Sequence, residues 1–468
     1  MARPIGVALS GGGHRASVWG TGVLAAVVDA GLGGDVVSVS SVSGGSITNG
    51  VVAQNLDLRT ATPDEFDAAV RDSLVNYARV GLFPAGPLTK RYLRLVIATL
   101  VVAVALVVVL LAAFVAAAAS WISGATAAIV LGALGVVTVI AWAGAAVLVA
   151  RRGTVVRSAL ARTHFGGDRR SLGTRLDEVA RDVNHVFLTT DLEAGDQFYL
   201  APRFLYGFRE GIADPAATGT TIAAAVQASA GLPGAFPPVI LETGPFRRPW
   251  DVPGDVPAEL PRRVILSDGG VYDNMADQWE AGLVYRIGRW PELAEIQQPA
   301  EVLIVANSSA GWGWDPFGST KWPKREITAL MRNQGVQYDV STSRRRRALV
   351  QTWIDNERRG SGQQGVIVMI DRSPYVVADA FAGEQGERGA RAREAIQFLG
   401  DGTEARADWA RRARSNSSVP TVLGALGSNE TLDLLEHAYT NTLVGLHVIE
   451  GVGALRPFDR ERFARLIS

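Results

Sequence analysis

Two apolar stretches, residues 95–119 and 125–149, constrain this chain more than any other feature. Each is 25 residues long and carries no Asp, Glu, Lys or Arg. At about 1.5 Å per residue, a helix of that length reaches roughly 37 Å, more than the ~30 Å hydrocarbon core of a bilayer. The five residues between them, 120–124, suffice only for a turn. Core helices of soluble proteins are seldom this long and apolar on every side. Lys90, Arg91 and Arg94 precede the pair, and Arg151, Arg152 and Arg157 follow it. Both ends therefore lie on one side, which the positive-inside rule makes cytoplasmic. Trp121 falls at the far turn, where an interfacial aromatic is expected. The expectation is a transmembrane hairpin over residues 91–152 that divides one domain into residues 1–90 and 153–468. That domain would face the cytoplasm at the cell membrane.

The rest of the chain reads as α/β. Residues 5–9 and 36–39 are short apolar runs with strand character. Each leads through a tight turn into a helical stretch, 17–29 and 46–55. Further helices are expected over 64–77, 172–183, 220–230, 274–286 and 432–448. Further strands are expected over 185–190, 197–200, 264–266, 302–306 and 366–370. Alternating strands and helices imply a sheet covered on both faces. Lys+Arg and Asp+Glu balance at 46 each, so bulk charge gives no argument for nucleic acid. The 468 residues include no cysteine, which excludes disulfides, thiolate nucleophiles and thiolate metal sites. No His-Glu-x-x-His or P-loop pattern occurs. The N-terminus has no apolar signal-peptide region.

The first two turns carry chemistry. One is Gly11-Gly12-Gly13-His14-Arg15-Ala16, the other Ser41-Val42-Ser43-Gly44-Gly45. A strand–turn–helix lifts a serine hydroxyl out of a sheet, and the helix N-terminus offers unpaired N–H groups to a developing oxyanion. Glycines without Cβ let a substrate approach the backbone donors closely.

These turns resemble those of the patatin-like phospholipases, serine hydrolases of lipids. That family has a Gly-Gly-Gly-x-Arg/Lys-Gly loop, then Gly-x-Ser-x-Gly, then a distant Asp-Gly-Gly or Asp-Gly-Ala. Here Ala16 replaces the last glycine of the first pattern and Ser41 the first glycine of the second. The third is Asp268-Gly269-Gly270, within Leu266-Ser267-Asp268-Gly269-Gly270-Val271-Tyr272-Asp273-Asn274. A fourth similar block runs from Ala228 through Pro233 and Phe236 to Pro238. The resemblance spans roughly residues 4–56 and 184–310, and four motifs in the family's order make it specific. It implies a three-layer α/β/α sandwich with a central, mostly parallel sheet, here carrying the inserted hairpin. It implies Ser43 as nucleophile and Asp268 as its base, without histidine or cofactor. It implies an oxyanion hole from Gly11, Gly12, Gly13 and Gly44, and an acyl-enzyme intermediate. His14 and Arg15 are candidate contacts to substrate or headgroup. The expected partners are the bilayer and a phospholipid or other acyl-lipid substrate.

Alternatives come from the residues themselves. The order Ser43, Asp268, then His437 or His447 also matches an α/β-hydrolase triad. A thioesterase or other carboxylesterase would use the same Ser43 and Asp268. A lipid-binding scaffold or effector would need neither. The basic run Arg344-Arg345-Arg346-Arg347 reads as a solvated helix face or a contact to anionic headgroups. Trp312, Trp314, Phe317 and Trp322 form an aromatic loop, packed on the protein or dipping into the interface.

Overall fold

A computed structural model describes residues 3–82, 87–119, 124–167, 172–179, 182–231, 236–248, 262–309, 321–322 and 324–468. Among the described residues one ten-stranded sheet organises the chain. Its strands are β1 (Ile5–Leu9), β2 (Val36–Ser41), β3 (Asn184–Asp191), β4 (Gln197–Ala201), β5 (Phe204–Gly207), β6 (Gly211–Ala213), β7 (Val239–Glu242), β8 (Arg263–Asp268), β9 (Val302–Asn307) and β10 (Gln364–Met369). The central run β10-β9-β1-β2-β3 is parallel throughout. Beyond β3 the pairing turns antiparallel, through β4, β5 and β6 on one path and β8 and β7 on the other.

The parallel strands are buried on both faces, as sheets of this kind require. Ile5, Val7 and Leu9 of β1 face one core, with Val302 and Ile304 of β9. Ala8, Leu303 and Val305 face the other. The first core is covered by α1 (Gly13–Asp29), α2 (Gly44–Asn55), α3 (Pro63–Val75) and residues further along the chain. Trp279, Leu283, Leu349 and Trp353 close the second.

α4 (Pro87–Ala118) and α5 (Gly124–Ala150) pack on each other and project their apolar side chains outward, Val115 at 65% and Ile129 at 73% exposure. Both are long and apolar enough to cross a membrane, with mean hydropathy 3.3 over an 18-residue stretch within residues 94–118. α6 (Arg152–His164) continues from α5 almost without a break, since Arg151 and Val155 keep helical bonds to Val147 and Arg151. Arg94 and Arg151 are exposed at the feet of the pair. Trp121 and the side chains of Lys90 and Arg91 lie outside the described residues, as do Trp312, Trp314 and Phe317. Trp322 is described and exposed.

Three more helices matter for the site: α7 (Ile222–Ser229), α8 (Lys324–Arg359) and α9 (Ser428–Gly445). Of two expected helices one is not formed and the other is formed only in part. Over residues 172–179 only a single 3-10 turn, Asp177–Val179, appears. Gly173 is left-handed at φ 84°, and the Leu176 N–H bonds Thr220 O at 2.9 Å, so the backbone pairs sideways instead of with itself. Over residues 274–286 the chain first bends around the Asp273 carboxylate, which accepts N–H bonds from Met275, Ala276 and Gln278. Short helices then follow at Gln278–Ala281 and Leu283–Arg289.

Candidate active site

The loops that follow β1, β2, β8 and β9 converge on one cavity. This matches the rule that open α/β sheets place their sites at the carboxyl ends of strands. The cavity measures about 530 Å³. Gly11, Gly12, Gly13, Arg15, Ser43 and Asp268 line it together with residues from α8 and from the segment at 421–423.

Ser43 joins β2 to α2 with φ 52° and ψ −120°. A non-glycine residue in this region is strained, and such strain clusters at functional sites. The turn is held from behind. The Ser43 N–H donates to both the carbonyl and the hydroxyl of Ser229 at the end of α7, each at 3.1 Å. The Ser229 hydroxyl in turn donates to Leu188 O at 2.7 Å. Ser41 needs no glycine: it ends β2 in extended backbone, and its hydroxyl accepts from Ser46 and Asn49. Ala16 likewise sits inside α1, which starts at Gly13, earlier than residue 17.

The glycine loop is pinned by its first residue. The Gly11 N–H donates to Asn274 O at 3.1 Å, and the Gly11 carbonyl accepts from the Ser308 hydroxyl at 2.9 Å. The expected oxyanion role of Gly11 is therefore corrected: its amide is spent on holding the loop. Gly12 and Gly13 adopt φ 145° and 62°, which other residues avoid. Among the described residues no hydrogen bond engages the N–H of Gly12, Gly13 or Gly44. Gly44 does not line the cavity; it follows Ser43, which does, and its amide opens α2.

Asp268 ends β8 and is 4% exposed. Its Oδ1 accepts the Gly270 N–H at 2.8 Å. Burial pushes its carboxyl up to about 7, and the Gly270 bond offsets this only in part. A carboxylate near 7 is a far better base for a hydroxyl than one at its ordinary ~3.9. Gly269 must lack a side chain, because a Cβ there would lie 2.2 Å from Leu188 O. Tyr338 of α8 packs over Gly270, and burial followed by the Asp268 charge raises its phenol.

The remaining expected site residues are placed differently. His14 is fully buried, bonds Gly424 O through Nδ1 at 2.8 Å and packs on Tyr77 at 5.0 Å. Burial lowers it to about 4, so it is neutral and does not line the cavity; the expected substrate contact is corrected. Arg15 does line the cavity, while its Nη1 donates to Val419 O at 2.6 Å and Ser417 O at 3.3 Å. It braces the segment leading to 421–423. His437 is buried against Trp19 and bonds Arg372 O at 2.8 Å and Asn416 at 3.1 Å. His447 faces Glu394 and Gly453. Neither lines the cavity, so the structure does not assemble the alternative triad.

Within the basic run, Arg345 is no headgroup contact. It pairs with Asp273 at 3.3 Å and Asp277 at 3.0 Å, tying α8 to the loop after Asp268. Sequence reasoning missed Ser229, Asn274, Ser308 and Tyr338. Asn274 and Ser229 stood inside quoted motifs; Ser308 follows a predicted strand, and Tyr338 carries no local signal.

A family model described as patatin-like phospholipase matches residues 7–276. No curated protein gave a match. Among solved structures, human GIVD cytosolic phospholipase A2 aligns at 11% identity and TM-score 0.43, covering 100% of this chain and 60% of that one. This chain thus spans about 60% of that enzyme's length. VipD from Legionella pneumophila aligns at 12% identity and TM-score 0.25, covering 100% of this chain and 90% of that one. The family model covers more than half of the sequence and takes in the glycine loop, Ser43 and Asp268, and the chain belongs to the patatin-like phospholipase family.

Proposed function

We propose that this protein is a membrane-anchored serine acyl hydrolase that cleaves acyl esters of membrane lipids through Ser43 and Asp268. One observation carries the reading. A strained serine and a buried carboxylate held near neutrality line the same cavity, with no histidine beside them. Family membership supports the class, a lipid acyl hydrolase.

In this reading the ester carbonyl enters beside the glycine loop. Asp268 takes the Ser43 hydroxyl proton as Oγ bonds to the carbonyl carbon. The N–H groups of Gly12 and Gly13, with the N-terminus of α2 at Gly44, hold the oxyanion. The tetrahedral adduct collapses, and Asp268 returns the proton to the departing alcohol. Water then attacks the acyl-Ser43 ester and gives its proton to Asp268. The fatty acid leaves, and Ser43 recovers its proton. The apolar surfaces of Ala230, Phe236, Val422 and Leu423 suit an acyl chain. α4 and α5 anchor the domain, and the arginines at their feet favour the cytoplasmic face.

Fluorophosphonate labelling of membranes tests this without the natural lipid. Wild type and the His437→Ala/His447→Ala variant label; Ser43→Ala and Asp268→Asn do not. Labelling that survives Ser43→Ala, or that is lost in a folded histidine variant, overturns the dyad.

A further inference from the structure

The foot of α5 is built against the wall of the cavity. On the outgoing side α5 ends at Ala150, and Gly153 lies three residues on in the continuing helix, about 4.5 Å along its axis. Gly153 packs so closely on Pro237 that a Cβ would lie 2.7 Å from the ring. Pro237 adjoins Phe236, which lines the cavity. Four residues later Arg157 Nε bonds Gln227 of α7 at 3.0 Å, two positions before Ser229. Before α4, the Leu82 N–H donates to Leu423 O at 2.8 Å, and Leu423 also lines the cavity. The chain before α4, at Leu82, and after α5, at Gly153, thus contacts the cavity wall or its immediate neighbour. The Phe236 side of the cavity sits close to the level at which the apolar span stops.

That level is where a diacyl lipid carries its ester bonds. The cavity volume is in the range of ~300–1,000 Å³ that takes a drug-sized molecule, so it admits one end of such a lipid and leaves the rest outside. The exposed arginines at 94 and 151 mark the headgroup layer on both feet. We infer that the lipid reaches Ser43 sideways, from the leaflet that holds the hairpin and past the foot of α5 beside Phe236, so that the enzyme hydrolyses only lipids of its own membrane. This rests on the proposed function and specifies its substrate: an ester lipid embedded in the same leaflet, not a dispersed or trans-presented one.

The test uses the full chain in phosphatidylcholine vesicles. A long-chain fluorogenic phospholipid is placed either in the vesicles that carry the protein or in separate, protein-free vesicles. Hydrolysis in the shared membrane at least twentyfold faster than across vesicles is the expected result. Equal rates, with Ser43 still labelled by fluorophosphonate, overturn lateral uptake alone. Absence of both labelling and hydrolysis overturns the proposed function and this inference with it. A second chain carries seven added helical residues after Ala150 and seven before Leu95, which lifts the domain by about 10 Å. It keeps its labelling and loses at least tenfold in shared-membrane hydrolysis; undiminished hydrolysis overturns the proposal. The comparison across vesicles uses the unaltered chain and decides whether or not the lengthened one folds.

Discussion

Gly44 and Gly13 touch backbone to backbone: a Cβ on Gly44 would lie 1.9 Å from the Gly13 carbonyl oxygen. The nucleophile turn and the glycine loop therefore fix each other's position. Gly44→Ala must push them apart, misplacing donors on both. Removing one oxyanion donor costs about 10²–10³ in rate. The fluorophosphonate labelling rate of Gly44→Ala is expected to fall at least a hundredfold, with the protein still folded by circular dichroism.

Asp268 sets a pH dependence. In the proposed dyad it acts as base only when ionised, and burial pushes its carboxyl up to about 7. Turnover is expected to rise with pH and reach half its plateau near pH 7, falling about tenfold per unit below that. The same shift has a stability sign. A carboxyl raised from 3.8 to about 7 favours the folded state most below its unfolded value, and this advantage is lost as pH rises through 7. Asp268→Asn should then be inactive, yet more stable than wild type at pH 8, by an amount on the order of a few kcal/mol. A pH series of thermal unfolding and initial rates checks both.

Arg345 holds two buried carboxylates. Asp273 and Asp277 share its guanidinium, and burial together with the Asp273 charge pushes Asp277 up. Arg345→Ala leaves both without a cation, a loss of roughly 3–5 kcal/mol by the measure of broken buried ion pairs. Arg347→Ala, two positions along and exposed, should change little. Chemical denaturation of the two variants side by side distinguishes them.

Asn274 ties three loops. Its carbonyl takes the Gly11 N–H, its Nδ2 donates to the Ser309 hydroxyl at 2.8 Å, and its Oδ1 sits against Gly11 and Gly270. Asn274→Ala removes the side-chain wedge and keeps the carbonyl. Asn274 lines the cavity, but its polar contacts all go to the neighbouring loops, so kcat is expected to fall about ten- to hundredfold, more than KM rises. Steady-state kinetics on a soluble ester measures the split.

The turns were legible because their chemistry is local. Glycines at φ values other residues avoid, a serine between strand and helix, and Asp-Gly-Gly after a strand all follow from short-range constraints. Where partners came from far along the chain, the sequence misled. Residues 172–183 have helical spacing, yet Thr220 captures the backbone at Leu176. Gly11 looked like an oxyanion donor until Asn274 took its amide. His14 looked accessible, but Gly424 and Tyr77 bury it. Arg345 looked like part of a solvated charge run, and only the fold reveals the two aspartates it answers. β5 and β6 were missed because short antiparallel strands at a sheet edge leave little periodic signal.

The hairpin lies between β2 and β3, which are neighbours in the sheet. During synthesis Ser43 therefore emerges 225 residues before Asp268, with both apolar helices in between. At about 5–20 residues per second that gap lasts roughly 10–45 s. The half-sheet of β1 and β2 waits, without Asp268, while the hairpin is made. Under the proposed function the hairpin enters the bilayer before Asp268 is made, so the hydrolase would be completed only at the membrane it is to act on.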